Sequence, residues 1–388
     1  MTTPSSLRTI VDQFAGAGGW EEGLAQLGYR AIGIEIDPVA CQTAEAAGHR
    51  RVLADVAETD PWAFGPIWGV IASSPCGGWS LAGKGEARAD KPHVIACARD
   101  LAAGNDTRSE HLKRCRDSRS LLAVEPLRWA VTARPEWIAL EQVPTVRELW
   151  DLFADLLAAH GYYCATGVLS AEQYGVPQTR KRAFLIANRL GPVTLPAPTH
   201  KSFYGRHPTR SPEAERHLLP WVSMAEALDI DTNAMTYTIC QTNGGRRPRG
   251  LVRGANRPAR TLDTMSYAWQ IEPGRPEHRP RRPSCEQRTD LPAWASHRPA
   301  TTVCCDPRVH PPGHRRNAAD PPGRYLSRAG RSAVRVTVEQ ASILQGFRPD
   351  YPWQGARYRQ FRQIGNAVCP PLARRVLAEA MRPSLEQT

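Results

Sequence analysis

Residues 9–24 read TIVDQFAGAGGWEEGL: a short apolar strand, a glycine-rich turn and the start of a helix. Glycines at such a junction let the backbone approach a ligand closely and leave the first helical N–H groups free to bind it. A tight turn without any ligand explains the same glycines equally well. This stretch therefore predicts a strand–turn–helix unit and leaves its function open.

Short apolar segments alternate with helical segments over the first 190 residues. Strands are predicted at 10–14, 31–36, 69–73, 137–143, 165–169 and 183–188, and helices at 21–27, 38–47, 121–133 and 146–159. This alternation predicts an α/β fold, with a Rossmann-like, mostly parallel sheet flanked by helices. Ligands of such sheets bind at the carboxyl ends of the strands.

Charge is distributed unevenly along the chain of 388 residues. Residues 1–200 contain 20 Lys and Arg against 22 Asp and Glu, whereas residues 201–388 contain 30 against 16. The basic half indicates a polyanionic partner, most simply nucleic acid, although an arginine-rich genome would give the same excess on a solvated surface. We predict an α/β domain at 1–190, a smaller loop-rich domain at 191–333, and a segment at 334–388 that returns to the first domain.

Several protein classes are disfavoured. No apolar run approaches the roughly 20 residues that a membrane span needs, and residues 1–6 lack the apolar core of an export signal. The ten cysteines form no Cys-x-x-Cys pair, and no His-Glu-x-x-His occurs. We expect a cytoplasmic protein with reduced thiols, without a membrane partner and without a bound metal.

Three kinds of reactive side chain follow apolar runs. Cys76 comes directly after residues 71–75, IASSP, and Glu141 ends the run that starts at Trp137. Arg180 and Arg182 lie in residues 174–182, YGVPQTRKR. An ordinary thiol is only about 3% ionised at pH 7, so Cys76 needs the strand end and the following glycine amides to favour its thiolate. Alternatively, Cys76 is a buried, inert cysteine. If it is reactive, these side chains together supply a nucleophile, an acid and anchors for a polar planar ring.

Acidic residues also follow the strands next to the glycine-rich turn. Glu35 ends the second predicted strand, where it could hold ribose hydroxyls, and Asp55 ends the next segment, where it could accept from an adenine amino group. The spacing Gly16-x-Gly18-Gly19 differs from the dinucleotide Gly-x-Gly-x-x-Gly, which favours an adenosyl ligand without a pyrophosphate. Taken singly, either carboxylate could instead be a helix cap.

In this order along nearly the whole chain, the motifs resemble those of the DNA (cytosine-5)-methyltransferases of bacteria and phages, which use S-adenosylmethionine. Phe14–Gly19 is similar to the family's first motif, Pro75-Cys76 to its nucleophile motif, Glu141-Gln142-Val143 to its Glu-Asn-Val, residues 174–182 to its Gln-x-Arg-x-Arg segment, and Gly365–Val368 to its Gly-Asn-Ser/Ala-Val. Two positions depart from the family's pattern: Gly77 replaces a glutamine and Gln142 an asparagine.

The resemblance implies a methyltransferase that modifies C5 of a cytosine flipped out of duplex DNA, through a covalent bond between Cys76 and C6 of the ring. It gives catalytic roles to Cys76, Glu141, Arg180 and Arg182, and it makes residues 191–333 the target-recognition domain. The residues that would hold S-adenosylmethionine are Asp12, Phe14, Ala15, Gly16, Gly18, Gly19, Glu35, Ile36, Asp55, Pro75, Asn366 and Ala367. No metal is implied.

The expected partners follow from the same resemblance. We expect a monomer that acts on double-stranded DNA in the cytoplasm of a bacterial cell or a phage-infected host, with a cognate restriction endonuclease acting separately. Two other functions use the same fold: an RNA (tRNA) cytosine-5 methyltransferase and a non-catalytic DNA-binding protein. The arginine-rich second half favours duplex DNA over RNA, and retention of all four catalytic residues argues against a non-catalytic protein.

Overall fold

A computed structural model describes residues 8–75, 86–204, 212–229 and 334–387, together with the pairs 237–238, 272–273, 300–301 and 308–309. The chain divides into two compact units. The first comprises Met1–Leu169, Lys181–Ala197 and Leu372–Thr388, and the second comprises Ser170–Arg180 and Pro198–Pro371. The domain boundaries predicted above stay a prediction, because much of the predicted loop-rich domain lies outside the described residues.

The main strands, in chain order, are β1 (Thr9–Gln13), β2 (Ile32–Glu35), β3 (Arg50–Leu53), β4 (Ile67–Ala72), β5 (Trp137–Gln142), β6 (Tyr163–Ser170), β7 (Gln178–Thr179) and β8 (Lys181–Asn188). The helices are α1 (Gly19–Ala25), α2 (Pro38–Ala46), α3 (Glu86–Ala102), α4 (Arg108–Leu112), α5 (Glu125–Ala133), α6 (Arg147–Ala159), α7 (Met224–Ala227), α8 (Val338–Gln345), α9 (Arg357–Asn366) and α10 (Pro370–Glu386). Short 3-10 helices occupy Pro61–Phe64, Ser118–Val124, Pro144–Val146, Ala171–Tyr174 and Glu213–Glu215.

Seven strands form one sheet in the order β3-β2-β1-β4-β5-β8-β6. The neighbouring pairs from β3 to β5 are all parallel, and β8 runs antiparallel to β5. Gln13 of β1 lies beside Ala72 of β4, which lies beside Leu140 of β5. This register brings the carboxyl ends of the three central strands to one edge, and the predicted mostly parallel α/β fold is confirmed.

The centre of the sheet forms the core of the first unit. All six residues of β4 and all six of β5 are buried, as expected for central strands that are covered on both faces. The core cluster on one face joins residues of these strands and β8 with residues of α3, α5 and α6. The edge strand β3 is largely exposed, so burial fixes the position of β4 and β5 much more strongly than that of β3.

Three elements differ from the sequence-based expectation. The prediction missed α3 and β3: α3 contains Pro92 in its interior, and β3 begins with two arginines, so neither has the usual pattern of its class. The predicted helix at 121–133 is divided, because the α-helix begins only at Glu125 and a 3-10 helix precedes it. Pro126 in its first turn explains that start, since proline lacks the N–H group that a helix interior needs.

The second unit contains α8 and α9. Thr337 and Gln340 form a capping box at the start of α8. Residues 300–301 pair in parallel with β7, and two antiparallel pairs join 237–238 to 272–273 and 308–309 to 334–335.

Candidate active site

The glycine turn (Phe14–Gly19) joins β1 to α1 at the carboxyl edge of the sheet. Its backbone uses positive φ angles at Phe14 (55°), Gly16 (55°) and Gly18 (105°). Glycine adopts such angles easily, whereas a phenylalanine there is uncommon and carries strain. A Cβ at Gly16 would have no other atom within 4 Å, so the turn presents bare backbone to open space.

Glu35 ends β2 beside this turn. Its Oε2 accepts a hydrogen bond from Gly16 N at 2.8 Å, and its Oε1 accepts from Ile36 N and Asp37 N at 2.9 and 2.8 Å. The N-cap of α2 is Asp37, whose Oδ1 accepts from Val39 N at 3.0 Å. Glu35 is therefore not the helix cap, and its carboxylate is tied to the glycine turn.

Asp55 lies in the loop after β3. Its Oδ1 accepts from Ala57 N at 2.9 Å, which closes a tight turn. Arginine side chains hold the carbonyls of the same loop: Arg128 Nη2 donates to Val56 O at 2.9 Å, and Arg108 Nη1 donates to Ala57 O at 2.9 Å. Buried Glu125 pairs with both arginines, at 2.6 and 2.8 Å.

Asp12 is fully buried in β1, and neither of its carboxylate oxygens has a hydrogen-bond partner among the described residues. Burial, and then the nearby Glu21 carboxylate, raise the pKa of Asp12 well above its usual range, while Arg51 opposes the rise. The side-chain amide of the next residue, Gln13, is also buried and has no hydrogen-bond partner within the described ranges. Unpaired buried polar groups are costly, so this strand end holds polar groups suited to a bound ligand or water.

The segment that leads to Cys76 is held by two side chains. Trp20 Nε1 donates to Ser73 Oγ at 2.8 Å, and Gln142 Nε2 donates to Ser74 O at 2.6 Å. Gln142 also accepts from Val143 N at 2.7 Å through its Oε1. The longer amide at the position of the usual asparagine thus joins the end of β5 to the segment after β4. Cys76 itself lies outside the described residues, because the described range ends at Pro75 and the next begins at residue 86.

Glu141 is buried near the end of β5, and its Oε1 lies 2.9 Å from Arg182 Nε of β8. The two charges form an ion pair, yet this oxygen accepts no well-directed hydrogen bond within the described part of the chain. Arg182 Nη1 donates to its neighbour's carbonyl, Lys181 O, at 2.7 Å. The carboxyl therefore keeps hydrogen-bonding capacity for another group, and a guanidinium lies beside it.

The other cysteines show what an unactivated thiol looks like in this protein. Burial raises the pKa of Cys41 and Cys115 to about 11, and that of Cys97 and Cys164 to about 12. With these pKa values the four thiols stay protonated at neutral pH, which disfavours them as nucleophiles.

In the second unit, the predicted motif residues are linked through backbone carbonyls. Arg180 is buried and donates from Nη1 to Gly365 O at 3.0 Å. Gln345 Nε2 donates to Ala367 O at 2.5 Å, and Gln178 Nε2 donates to Gln345 Oε1 at 2.9 Å. The segments around Arg180 and Gly365, far apart in sequence, are thus joined, with Asn366 exposed between the two held carbonyls.

Sequence reasoning missed several residues that hold the predicted motifs within each unit. Trp20, Arg108 and Arg128 of the first unit and Gln345 of the second lie outside the family motifs named above. Only Gln142 gave a signal, because it departs from the family's pattern and its longer amide reaches Ser74. The others make contacts whose partners lie far away in sequence, and no local pattern marks them.

Within the described ranges, no group of three or more His, Cys, Asp or Glu side chains could hold a metal ion. The helices described there include none that is long and apolar enough to cross a membrane.

The sequence profile of the family of C-5 cytosine-specific DNA methylases matches residues 8–382. The chain is 25% identical to the Type II methyltransferase M1.HphI of Haemophilus parahaemolyticus over 400 residues, covering 96% of this chain and 86% of that protein. It is also 25% identical to M.XorII of Xanthomonas oryzae pv. oryzae over 404 residues, covering 96% and 84%.

Solved structures support the fold. The S. pombe Dnmt2 methyltransferase superposes with a TM-score of 0.53 at 13% identity, over 97% of this chain and 99% of that one. The Entamoeba histolytica methyltransferase EhMeth superposes with a TM-score of 0.52 at 11% identity, with the same coverage. At these identities the likeness concerns the fold alone.

Proposed function

Because the chain belongs to the family of C-5 cytosine-specific DNA methylases, we propose that it methylates C5 of a flipped-out cytosine in duplex DNA through a covalent bond to Cys76. The observation that carries this proposal is the strand-end arrangement. The Glu141–Arg182 pair lies at the end of β5, and Gln142 ties that end to Ser74, two residues before Cys76. An acid, a cation and the nucleophile's segment are thereby joined in one unit.

The residues at the carboxyl ends of β1, β2 and β3 fit S-adenosylmethionine. A carboxylate has about four acceptor positions, of which Glu35 uses three on backbone N–H groups, so one remains for a ribose hydroxyl. The bare backbone at Gly16 leaves room for close approach. The carboxyl of Asp12, for which the described part of the chain supplies no hydrogen-bond partner, suits a cationic ligand, and Ile36 offers an exposed apolar surface to the adenine. When bound, S-adenosylmethionine supplies an electrophilic methyl group.

Cys76 begins the reaction, because C5 of cytosine is a poor nucleophile. Its thiolate adds to C6 and forms a carbon–sulfur bond. Glu141 donates a proton to N3, so the electron pair of the C5–C6 double bond becomes available at C5 and no negative charge accumulates on the ring. Arg182 holds the O2 edge of the ring and Arg180 holds the Gly365 backbone. After methylation, a base removes the C5 proton, the Cys76 thiolate leaves and N3 returns its proton to Glu141, which restores the aromatic ring and the acid.

The excess positive charge of residues 201–388 favours duplex DNA as the substrate. Within the described part of the basic half, α9 agrees in sign: it exposes Arg357 and Arg362 and contains no acidic residue. Arginine contacts to phosphates would offset the few kcal/mol needed to take a base out of the helix. The restriction–modification context carried by the names of the relatives adds a cognate endonuclease that acts separately on the same DNA.

Bisulfite sequencing of DNA from a host that expresses the protein tests the proposal. We expect methylated cytosines in one sequence context, and none when Cys76→Ser is expressed. An oligonucleotide with that context and 5-fluorocytosine at the target should form a crosslink to the wild-type chain in the presence of S-adenosylmethionine. Methylation of tRNA instead of DNA would assign the RNA function, and undiminished methylation by Cys76→Ser would remove Cys76 from the reaction.

A further inference from the structure

Behind the glycine turn, Glu21 of α1 and Arg51 of β3 form a buried ion pair. The Arg51 side chain is 1% exposed and that of Glu21 2%. The contact is two-pronged: Arg51 Nη1 donates to Glu21 Oε1, and Nη2 donates to Oε2 at 2.7 Å. Glu21 follows the Phe14–Gly19 motif by two residues, and Arg51 belongs to none of the stretches quoted above.

The same guanidinium also holds the turn. Arg51 donates to Gly16 O from Nε at 3.3 Å and from Nη2 at 3.1 Å. On the other side of this residue, Gly16 N donates to Glu35 Oε2 at 2.8 Å. Both backbone polar groups of Gly16 are therefore fixed by charged side chains. This is the residue whose bare backbone faces open space.

The strand between these elements leaves room for the guanidinium. A Cβ at Gly33 of β2 would lie 2.3 Å from Arg51 Nη1 and 2.7 Å from the Cβ of Ala15. Any side chain at position 33 would thus displace the arginine or the turn. Glu21, Gly33 and Arg51 come from three different elements, α1, β2 and β3, and all three are needed for one contact with the Gly16 carbonyl.

Stability alone does not account for a buried ion pair. Removing two charges from water is costly, and well-packed apolar side chains of similar volume often stabilise a core equally well or better. An apolar pair would fill the space but could not donate to Gly16 O. We propose that Arg51, oriented by Glu21, is a positioning residue that fixes the Gly16 peptide for binding of the adenosyl cofactor. This inference rests on the proposed use of S-adenosylmethionine.

The decisive variant combines Glu21→Met with Arg51→Met, because it removes both charges together and leaves no unpaired ion in the core. Calorimetric titration with S-adenosylmethionine and with S-adenosylhomocysteine should show binding weaker by about ten- to a hundredfold, the loss expected for hydrogen bonds from a charged donor. The melting temperature should stay near that of the wild type. The matched control is Arg147→Met with Asp151→Met, which removes a half-exposed ion pair of α6 and should leave affinity unchanged.

Two further variants separate positioning from packing. Gly33→Ala changes no charge but should dislodge Arg51 and weaken cofactor binding in the same direction. Arg51→Lys keeps the charge but loses the two-pronged geometry, and it should give an intermediate affinity. In steady-state assays of the double variant, KM for the cofactor should rise while kcat at saturation changes less than about threefold, since affinity and not chemistry is altered.

The outcomes distinguish this inference from the proposed function. If the wild-type chain fails to bind either adenosyl compound, the cofactor proposal itself is wrong. If the wild type binds and the folded double variant binds with unchanged affinity, Arg51 and Glu21 only fill the core and the positioning role is excluded. A fall in kcat at unchanged KM would equally contradict a role in cofactor positioning.

Discussion

Glu35 and Glu141 lie at the carboxyl ends of two parallel strands of the same sheet, as the last residue of β2 and the last but one of β5, yet they are held in opposite ways. Glu35 accepts three hydrogen bonds from backbone N–H groups, one of them from the glycine turn. Glu141 lies beside the Arg182 guanidinium, and its Oε1 accepts no well-directed hydrogen bond within the described residues. The Glu35 carboxylate uses most of its hydrogen-bond acceptor positions on backbone N–H groups, whereas the Glu141 carboxylate keeps acceptor positions for another group.

The difference corresponds to two tasks. A group that binds a ligand gains from being fixed before the ligand arrives, because less freedom is lost on binding. A group that exchanges a proton must keep an accessible position and must tolerate both charge states. Backbone donors serve the first task and a neighbouring guanidinium serves the second. The predictions below test whether the two carboxylates separate in this way.

The largest effect is expected for Glu141→Gln. The amide cannot donate the acid proton to N3, so kcat should fall by about 10²- to 10⁴-fold, the usual contribution of general acid catalysis. Cofactor affinity measured by calorimetry should not change. The matched control is Glu148→Gln, an exposed glutamate of α6 that should leave kcat intact. A loss of cofactor binding in Glu141→Gln would erase the distinction between the two carboxylates.

Glu35→Gln should show the opposite division. The amide NH₂ group cannot accept from backbone N–H groups, so the turn loses an anchor and cofactor binding should weaken by about ten- to a hundredfold. The value of kcat at saturating cofactor should change little. Asp37→Asn makes the same chemical change two residues away, and asparagine is an equally good N-cap, so it should have no effect. A kcat defect in Glu35→Gln with normal affinity would contradict the assignment.

Gln142→Asn should have a smaller effect. Restoring the family's shorter amide removes one methylene, and the hydrogen bond to Ser74 O should lengthen or break. Loss of one such bond corresponds to about 2- to 10-fold in kcat. Gln142→Ala should cost more, because Ser74 O and Val143 N then both lose their partner. Equal rates in all three proteins would show that this contact does not position the Cys76 segment.

The smallest effect is expected on stability. The pKa of Asp12 is raised in the folded chain, so the folded state holds this proton more tightly than the unfolded state. Stability that the protonated form contributes is therefore lost as pH rises through the folded pKa. Asp12→Asn should raise the melting temperature at pH 8 and flatten its dependence on pH. The same variant should bind S-adenosylmethionine more weakly. A lower melting temperature of Asp12→Asn at pH 8 would contradict the idea that ionised Asp12 destabilises the fold.

Local patterns predicted the strands well and the contacts poorly. Residues 137–143 are an apolar run long enough for a strand and too short for a helix, and β5 occupies Trp137–Gln142. Pro92 interrupts the helical pattern of α3, so the sequence did not predict this helix. In the folded chain, packing against α5 and α6 compensates for the proline. Tertiary packing decides whether a helix tolerates such a residue, and a short window of sequence does not specify that packing.

By itself, the sequence determined the fold class, the family and the placement of Glu35 and Glu141 at strand ends. Hydrophobic period and motif order are properties of the chain that need no knowledge of distant partners. Tertiary structure alone decided that Arg51 holds Gly16 across Gly33, that Gln142 reaches Ser74, and that Arg180 holds Gly365. The first two contacts depend on strand order and register in the sheet, and the third joins residues 185 positions apart in sequence, so no local pattern specifies any of them.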